Sequence, residues 1–248
     1  SGGLLHSQQQ RAILESGTRM LMIHDPVECL QRLFPSEEDK VRVNRGIERL
    51  RRAKRIRLES DNGTDVWFDK TDRPVFGQYG FAEEPGRWDH WPSAFQYTIP
   101  LEGAGEGTIV VDAGDVWYPP KRYVSAPVTM RFEKGAVVSI EGGLDAALIR
   151  EYINGWRDPQ GYEISHIGWG SHPRALWNAI LFQDPLDIIG QDGRTAYGNT
   201  LFALGENATF GGKNTTGCHQ DFALKGHRFY LDDELIADAG KIIPRELQ

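Results

Sequence analysis

Over its first fifty-odd residues the chain spaces its apolar positions for helices and one short strand; beyond them apolar and polar residues alternate. Ser7 is placed to cap a helix running to about Ser16, with Gly17 as a left-handed stop. The stretch "TRMLMIHDP" predicts a short buried strand ending at Pro26, and residues 27–34 a helical turn or two. Ser36 caps a longer helix with Glu37, Glu38 and Asp39 in its first turn, where the helix dipole favours acids. Val41, Ile47 and Leu50 form its apolar side, and it ends in basic residues near Lys54. From there strands dominate. "RIRLES" and "TDVWFDK" flank an Asn62-Gly63 hairpin signal. "GTIVVDAGDVWYP" reads as strand, and "VTMRFEKGAVVSIEGG" as a hairpin turning at Lys134-Gly135. One clear helix, 144–156, interrupts, followed by strand "YEISHIGWG", a short helix over 174–181, and strands "HQDFAL", "RFYLDD" and "ELIADAG". The fold class is α+β: a partial α/β domain over residues 1–57, then a β-rich domain over 58–248.

Composition narrows the function classes. With 248 residues, 40% hydrophobic and 25% charged, the chain suits one large domain or two modest ones. A net charge of −7 argues against a nucleic-acid partner, since neutralising phosphates needs a basic surface. The basic run over 49–57 reads as the solvated face of a helix. Cys29 and Cys218 are too far apart and too few for a disulfide framework or a zinc knuckle, which fits a reducing cytoplasm. No apolar run approaches the ~20 residues of a membrane span, so no membrane partner is expected. The opening Ser-Gly-Gly and an α/β segment too small for its own core suggest that the chain begins inside a longer protein.

The chemistry centres on "HQDFAL". Side chains alternate across a strand, so His219 and Asp221 project to one face while Gln220 and Phe222 face the other. An imidazole and a carboxylate so placed reach one metal ion, and a further histidine completes a 2-His-1-carboxylate face with open positions. Alone the spacing is a weak signal, because such a pair also occurs on surfaces or as a hydrogen-bonded histidine. Two more of the seven histidines add to it by context. His166 sits in apolar "EISHIGWG", where a buried histidine bonded to backbone is the competing reading. His90 lies between Trp88 and Trp91, where aromatic packing competes, and Asp89 points away from it if the segment is extended. His172 reads as a loop residue, and His24 and His227 as exposed. There is no Walker lysine, Rossmann fingerprint, G-x-S-x-G elbow or HExxH. Cys218 is a poor nucleophile partner for His219, since strand neighbours face opposite ways.

The blocks "EEPGRWDHWPS", "SHIGWG", "YGN" and "GGK…CHQD", with "LLHS" and "SGTR" upstream, resemble the 2,5-dihydroxypyridine 5,6-dioxygenases of nicotinate degradation across nearly the whole chain. The resemblance implies a fold related to M29-type leucyl aminopeptidases, Fe(II) held by His166, His219 and Asp221, and His90 as acid/base. It further implies Leu5 and His6 at the substrate, ring cleavage with O2 to N-formylmaleamate, and a homo-oligomer. The alternative is a two-metal aminopeptidase, but His166 supplies the distant ligand and only Tyr197 stands where those peptidases use histidine. A silent binding domain is the third reading. Ala203, where a serine is expected, together with His172 and Gln220, departs from the family pocket and leaves the ring substituents open.

Overall fold

Two antiparallel sheets share one apolar core. The computed structural model describes Leu4 and residues 7–248. Eight strands form the first sheet, in the order Ala136–Gly142, Val128–Glu133, Gly105–Val111, Asp65–Asp69, Arg55–Glu59, Arg228–Leu231, Glu234–Asp238 and Lys241–Ile242. Seven form the second: Val75–Gln78, Phe95–Thr98, Ile164–Gly170, Thr200–Gly205, His219–Leu224, Val116–Trp117 and Arg122–Tyr123. Ile56, Leu58, Val66 and Phe68 of the first pack with Ile167, Phe202, Phe222 and Leu224 of the second in a single buried cluster. Because side chains alternate, the second sheet turns its other face, with Phe95, Tyr97 and Leu201, towards a separate aromatic cluster. The functional residues stand on that second face.

The N-terminal segment packs onto the edge of the same sheet. Helix Gln8–Glu15 is capped as expected, Ser7 Oγ accepting from Gln10 N at 3.1 Å, and Gly17 has φ +85°. Helix Glu37–Arg52 starts at Ser36, whose Oγ accepts from Asp39 N at 3.2 Å. Its buried stripe is Asp39, Val43, Gly46 and Leu50; Val41, expected inside, is exposed. The close approach depends on missing side chains: a Cβ on Gly46 would lie 2.9 Å from Gln96, and one on Gly77 2.5 Å from Ile47. At the helix end, buried Lys70 donates to Leu50 O and Ala53 O at 2.7 and 2.8 Å, satisfying carbonyls the last turn leaves open.

The Asn62-Gly63 and Lys134-Gly135 hairpins and the helix Leu144–Gly155 form as read. Strand Met20–Ile23 is not buried as expected: Leu21 and Ile23 are exposed, and among the described residues the strand pairs, in parallel, only with Trp88–Trp91. The helix expected over 174–181 is instead a set of turns ending in a 3-10 turn, Ala179–Phe182. Tertiary partners hold that backbone open, Arg174 Nη2 donating to Phe34 O at 2.6 Å and Leu176 N to Asp192 Oδ1 at 2.7 Å. The boundary drawn after residue 57 falls inside strand Arg55–Glu59. Among the described residues no helix is long and apolar enough to cross a membrane.

Candidate metal centre

Three neighbouring strands of the second sheet converge on one spot. His219 and Asp221 share a face of strand His219–Leu224, while Gln220 turns to the opposite side and accepts from Trp117 Nε1 at 2.8 Å. Gly205 and Ala203 of the adjacent strand lie directly opposite His219 and Asp221, so no bulky side chain crowds them. His166 enters from the next strand, Ile164–Gly170, where the register shifts between Ile164 and Ile167. The donor atoms of His166, His219 and Asp221 all lie within 4.8 Å of one another.

Two separations are tighter. His166 Nε2 is 3.2 Å and His219 Nε2 3.6 Å from Asp221 Oδ1. Two neighbouring donors around one ion with bonds near 2.1 Å keep roughly 3 Å between them. Neither contact meets hydrogen-bond geometry, the second already too long at 3.6 Å, and Asp221 Oδ1 is buried without a hydrogen-bond partner among the described residues. Buried carboxylate oxygens are seldom left so, and a cation is one group that would satisfy it. His219 is also oriented for ligation: its Nδ1 lies 3.1 Å from the Glu206 carbonyl, which can only accept. The proton therefore sits on Nδ1, and Nε2 turns a lone pair towards Asp221. These residues fit a 2-His-1-carboxylate metal face.

Charge is balanced locally. The Arg194 guanidinium, which no sequence pattern marks, pairs with Asp221 Oδ2 and stacks 4.0 Å from the Tyr118 ring centroid. Burial pushes the Asp221 carboxyl up, but Arg194 and the two imidazoles outweigh it and hold the group well below the usual carboxylate range. Burial lowers His166, only partly offset by Asp221. For His219 burial also pulls down, but Asp221 and Glu206 outweigh it and raise the imidazole.

A cavity of about 250 Å³ opens over these groups. Trp88, Phe95, Tyr97 and Phe210 supply flat apolar walls, and His90, Gln78, Gln191 and Arg194 supply polar ones. Strand Trp88–Trp91 aims His90 inward, with the Trp88 ring edge-on at 5.0 Å, so packing and cavity placement coexist at this histidine. Burial, then Arg194, pushes His90 down to about 3, so its imidazole is neutral at ordinary pH. Its Nδ1 is sealed without a hydrogen-bond partner among the described residues, which leaves Nε2 to face the cavity. Asp89 turns away, as extended backbone requires, and accepts from Tyr79 N, Gly80 N and Arg87.

Other expected residues are placed differently. Leu5 and His6 lie outside the described residues. His172 is buried beside Arg174, away from the cavity lining, and Cys218 is buried in the core between the sheets. His227, expected to be exposed, is buried with Nε2 2.9 Å from Thr64 Oγ1, because the start of its strand packs over the Ser60–Thr64 turn. Arg194, Gln78 and Gln191 carried no local sequence signal; only strand pairing and loop packing bring them to the cavity.

Comparison with known proteins shows the family and the fold. The 2,5-dihydroxypyridine 5,6-dioxygenase family model matches residues 1–244. A 2,5-dihydroxypyridine 5,6-dioxygenase of Pseudomonas putida (strain KT2440) is 43% identical over 243 residues, covering 98% of this chain and 69% of the relative. The solved structure of 2,5-dihydroxypyridine dioxygenase from Pseudomonas putida KT2440 superposes with a TM-score of 0.95 at 43% identity, covering 98% of this chain and 71% of that one. Wild-type AmpT from Thermus thermophilus superposes with a TM-score of 0.64 at 14% identity over 88% of this chain and 58% of its own, a likeness of fold alone. With the matched model spanning almost its entire length and a relative this similar, the chain belongs to the 2,5-dihydroxypyridine 5,6-dioxygenase family, ring-cleaving oxidoreductases of nicotinate degradation.

Proposed function

We propose that His166, His219 and Asp221 hold a single Fe(II) and that the cavity above them takes 2,5-dihydroxypyridine, or a close hydroxypyridine, with O2 to give N-formylmaleamate. The observation that carries the iron is the unpartnered, buried Asp221 Oδ1 between two imidazole nitrogens. Bound there, Fe(II) supplies the one-electron chemistry and open positions that let an aromatic substrate and dioxygen meet. The protein's own groups do the rest. Trp88, Phe95, Tyr97 and Phe210 hold a flat ring and keep bulk water from the site. His90, neutral at rest, is in the form that accepts a proton at Nε2 from a substrate hydroxyl and later returns it. Arg194 offsets the charge on Asp221 and so keeps the carboxylate ionised in a buried place.

His219→Ala and Asp221→Ala are expected to abolish iron binding, measured by metal analysis after anaerobic loading; undiminished iron would refute the ligand set. His90→Ala should keep its iron and lose about 10²–10⁴-fold in oxygen uptake with 2,5-dihydroxypyridine; near-native uptake would remove His90 from the chemistry. Family resemblance supports assembly as a homo-oligomer, checked by light scattering of the purified protein. The two free, buried thiols support a cytoplasmic location.

A further inference from the structure

Two polar side chains in the cavity have no role in the reading above. Gln78, from the edge strand Val75–Gln78, and Gln191, at the start of the short helix Gln191–Thr195, both line it. They are 8% and 4% exposed. The main chain of Gln191 is tied down, its N–H donating to Asp25 and its carbonyl accepting from Thr195 Oγ1. Neither side-chain carboxamide is hydrogen-bonded to the protein among the described residues, whereas that of Gln96 is held by Trp169 O at 2.8 Å. Nor are their amide atoms sealed in the fold like Gln220 Nε2: both residues line the cavity, and Gln78 also borders the cleft beside it. A buried amide is normally paired, so these two are placed for a partner that arrives.

The chemistry of that partner can be read from the amide. A 2-hydroxypyridine has a lactam form in which a ring N–H lies beside a ring C=O. A glutamine carboxamide carries the complementary set, an oxygen that accepts and an NH2 that donates. The same pairing lets glutamine read an adenine edge with two hydrogen bonds. The aromatic walls cannot make this distinction, since a pyridine and a benzene ring present similar faces to Trp88 or Phe210. An all-carbon diphenol has no ring N–H beside its oxygen, so its hydroxyl can meet a carboxamide with one hydrogen bond only and leaves the other amide atom buried and unpaired. Resting on the hydroxypyridine reading above, we propose that Gln78 and Gln191 read the lactam edge of the ring and make the cavity select N-heteroaromatic substrates over all-carbon diphenols.

The test compares 2,5-dihydroxypyridine with hydroquinone, its all-carbon counterpart, by anaerobic calorimetric titration of the Fe(II)-supplemented protein. The native protein is expected to bind the pyridine about tenfold or more tightly than hydroquinone, the usual effect of one unpaired buried polar group. In Q78M/Q191M that preference should fall to near parity with hydroquinone affinity retained. A double variant that keeps the native preference overturns the assignment, as does a native protein with no preference. Should the double variant fail to fold, the single variants decide: Q78M and Q191M are each expected to lose part of the ratio, and the inference falls if both keep it whole. A native protein that binds no hydroxypyridine and consumes no oxygen with any of them refutes the functional reading itself, a result distinct from lost discrimination.

Discussion

At the scale of single residues, the buried histidines have separate tasks that burial alone does not distinguish. His219 donates from Nδ1 to a carbonyl and turns Nε2 to the metal face, whereas His227 sits far from the cavity and binds Thr64 Oγ1. Burial pushes His227 down from its ordinary 6.5 to about 4. The unfolded chain therefore takes up this proton first, between about pH 6.5 and 4. His227 contributes its stability above pH 6.5 and loses it as the pH falls towards 4, on the order of 3 kcal/mol in full. His227→Gln removes that titration. In urea unfolding at a series of pH values, the native protein's advantage over the variant should shrink from pH 7 to pH 4; a constant gap would contradict the depressed pKa. Of the metal-face residues, the His-X-Asp pair was legible because alternation on a strand is local. His227 was misread because nothing in "KGHRF" records that a turn 160-odd residues earlier covers it.

Among the elements, strand Thr200–Gly205 shows how a segment without metal-face residues can shape a site. Its pattern did not predict a strand, yet it stands between the strands bearing His166 and His219. Gly205 faces His219 across the pair with φ +100°, and a Cβ there would fall 2.0 Å from Cys218 O. Only glycine adopts that backbone without strain, which costs about 1–3 kcal/mol for other residues before any clash. Gly205→Ala is expected to lower the melting temperature and also reduce iron occupancy, because the register that sets His219 must move. A variant destabilised but fully metallated would show that the strand merely supports the sheet. Hairpins and capped helices were readable because Asn62-Gly63, Ser7 and Ser36 act within a few residues. The false helix at 174–181 and the exposed Met20–Ile23 strand were not, since both depend on which distant backbone offers hydrogen bonds.

On the scale of the whole molecule, the N-terminal segment clamps one wall of the cavity. Arg32 of helix Val27–Arg32 reaches Asp192 with two hydrogen bonds of 2.6 and 2.8 Å, and Cys29 Sγ adds a third at 3.1 Å. Asp25 accepts from Ile189 N and Gly190 N at 3.1 and 3.0 Å. Between them these carboxylates fix the loop that carries Gln191 and Arg194. Asp192→Asn removes one side of a pair in which Asp192 is buried, a loss of about 3 kcal/mol. The variant should melt earlier and show a raised KM for 2,5-dihydroxypyridine while retaining its iron; unchanged KM would mean that the clamp serves stability alone.

By itself the sequence determined the β-rich body, the short helices before it, the shared face of His219 and Asp221, and a family resemblance that named His166 and His90. Each of these is local pattern or a contiguous block of residues, and alternation or spacing carries it. Only the tertiary structure decided that Arg194, Gln78 and Gln191 join that face and that Asp25 and Asp192 hold the loop beneath them. It also buried His227 and His172. These relations join segments up to some 160 residues apart, and they depend on strand order and loop packing that no local pattern encodes.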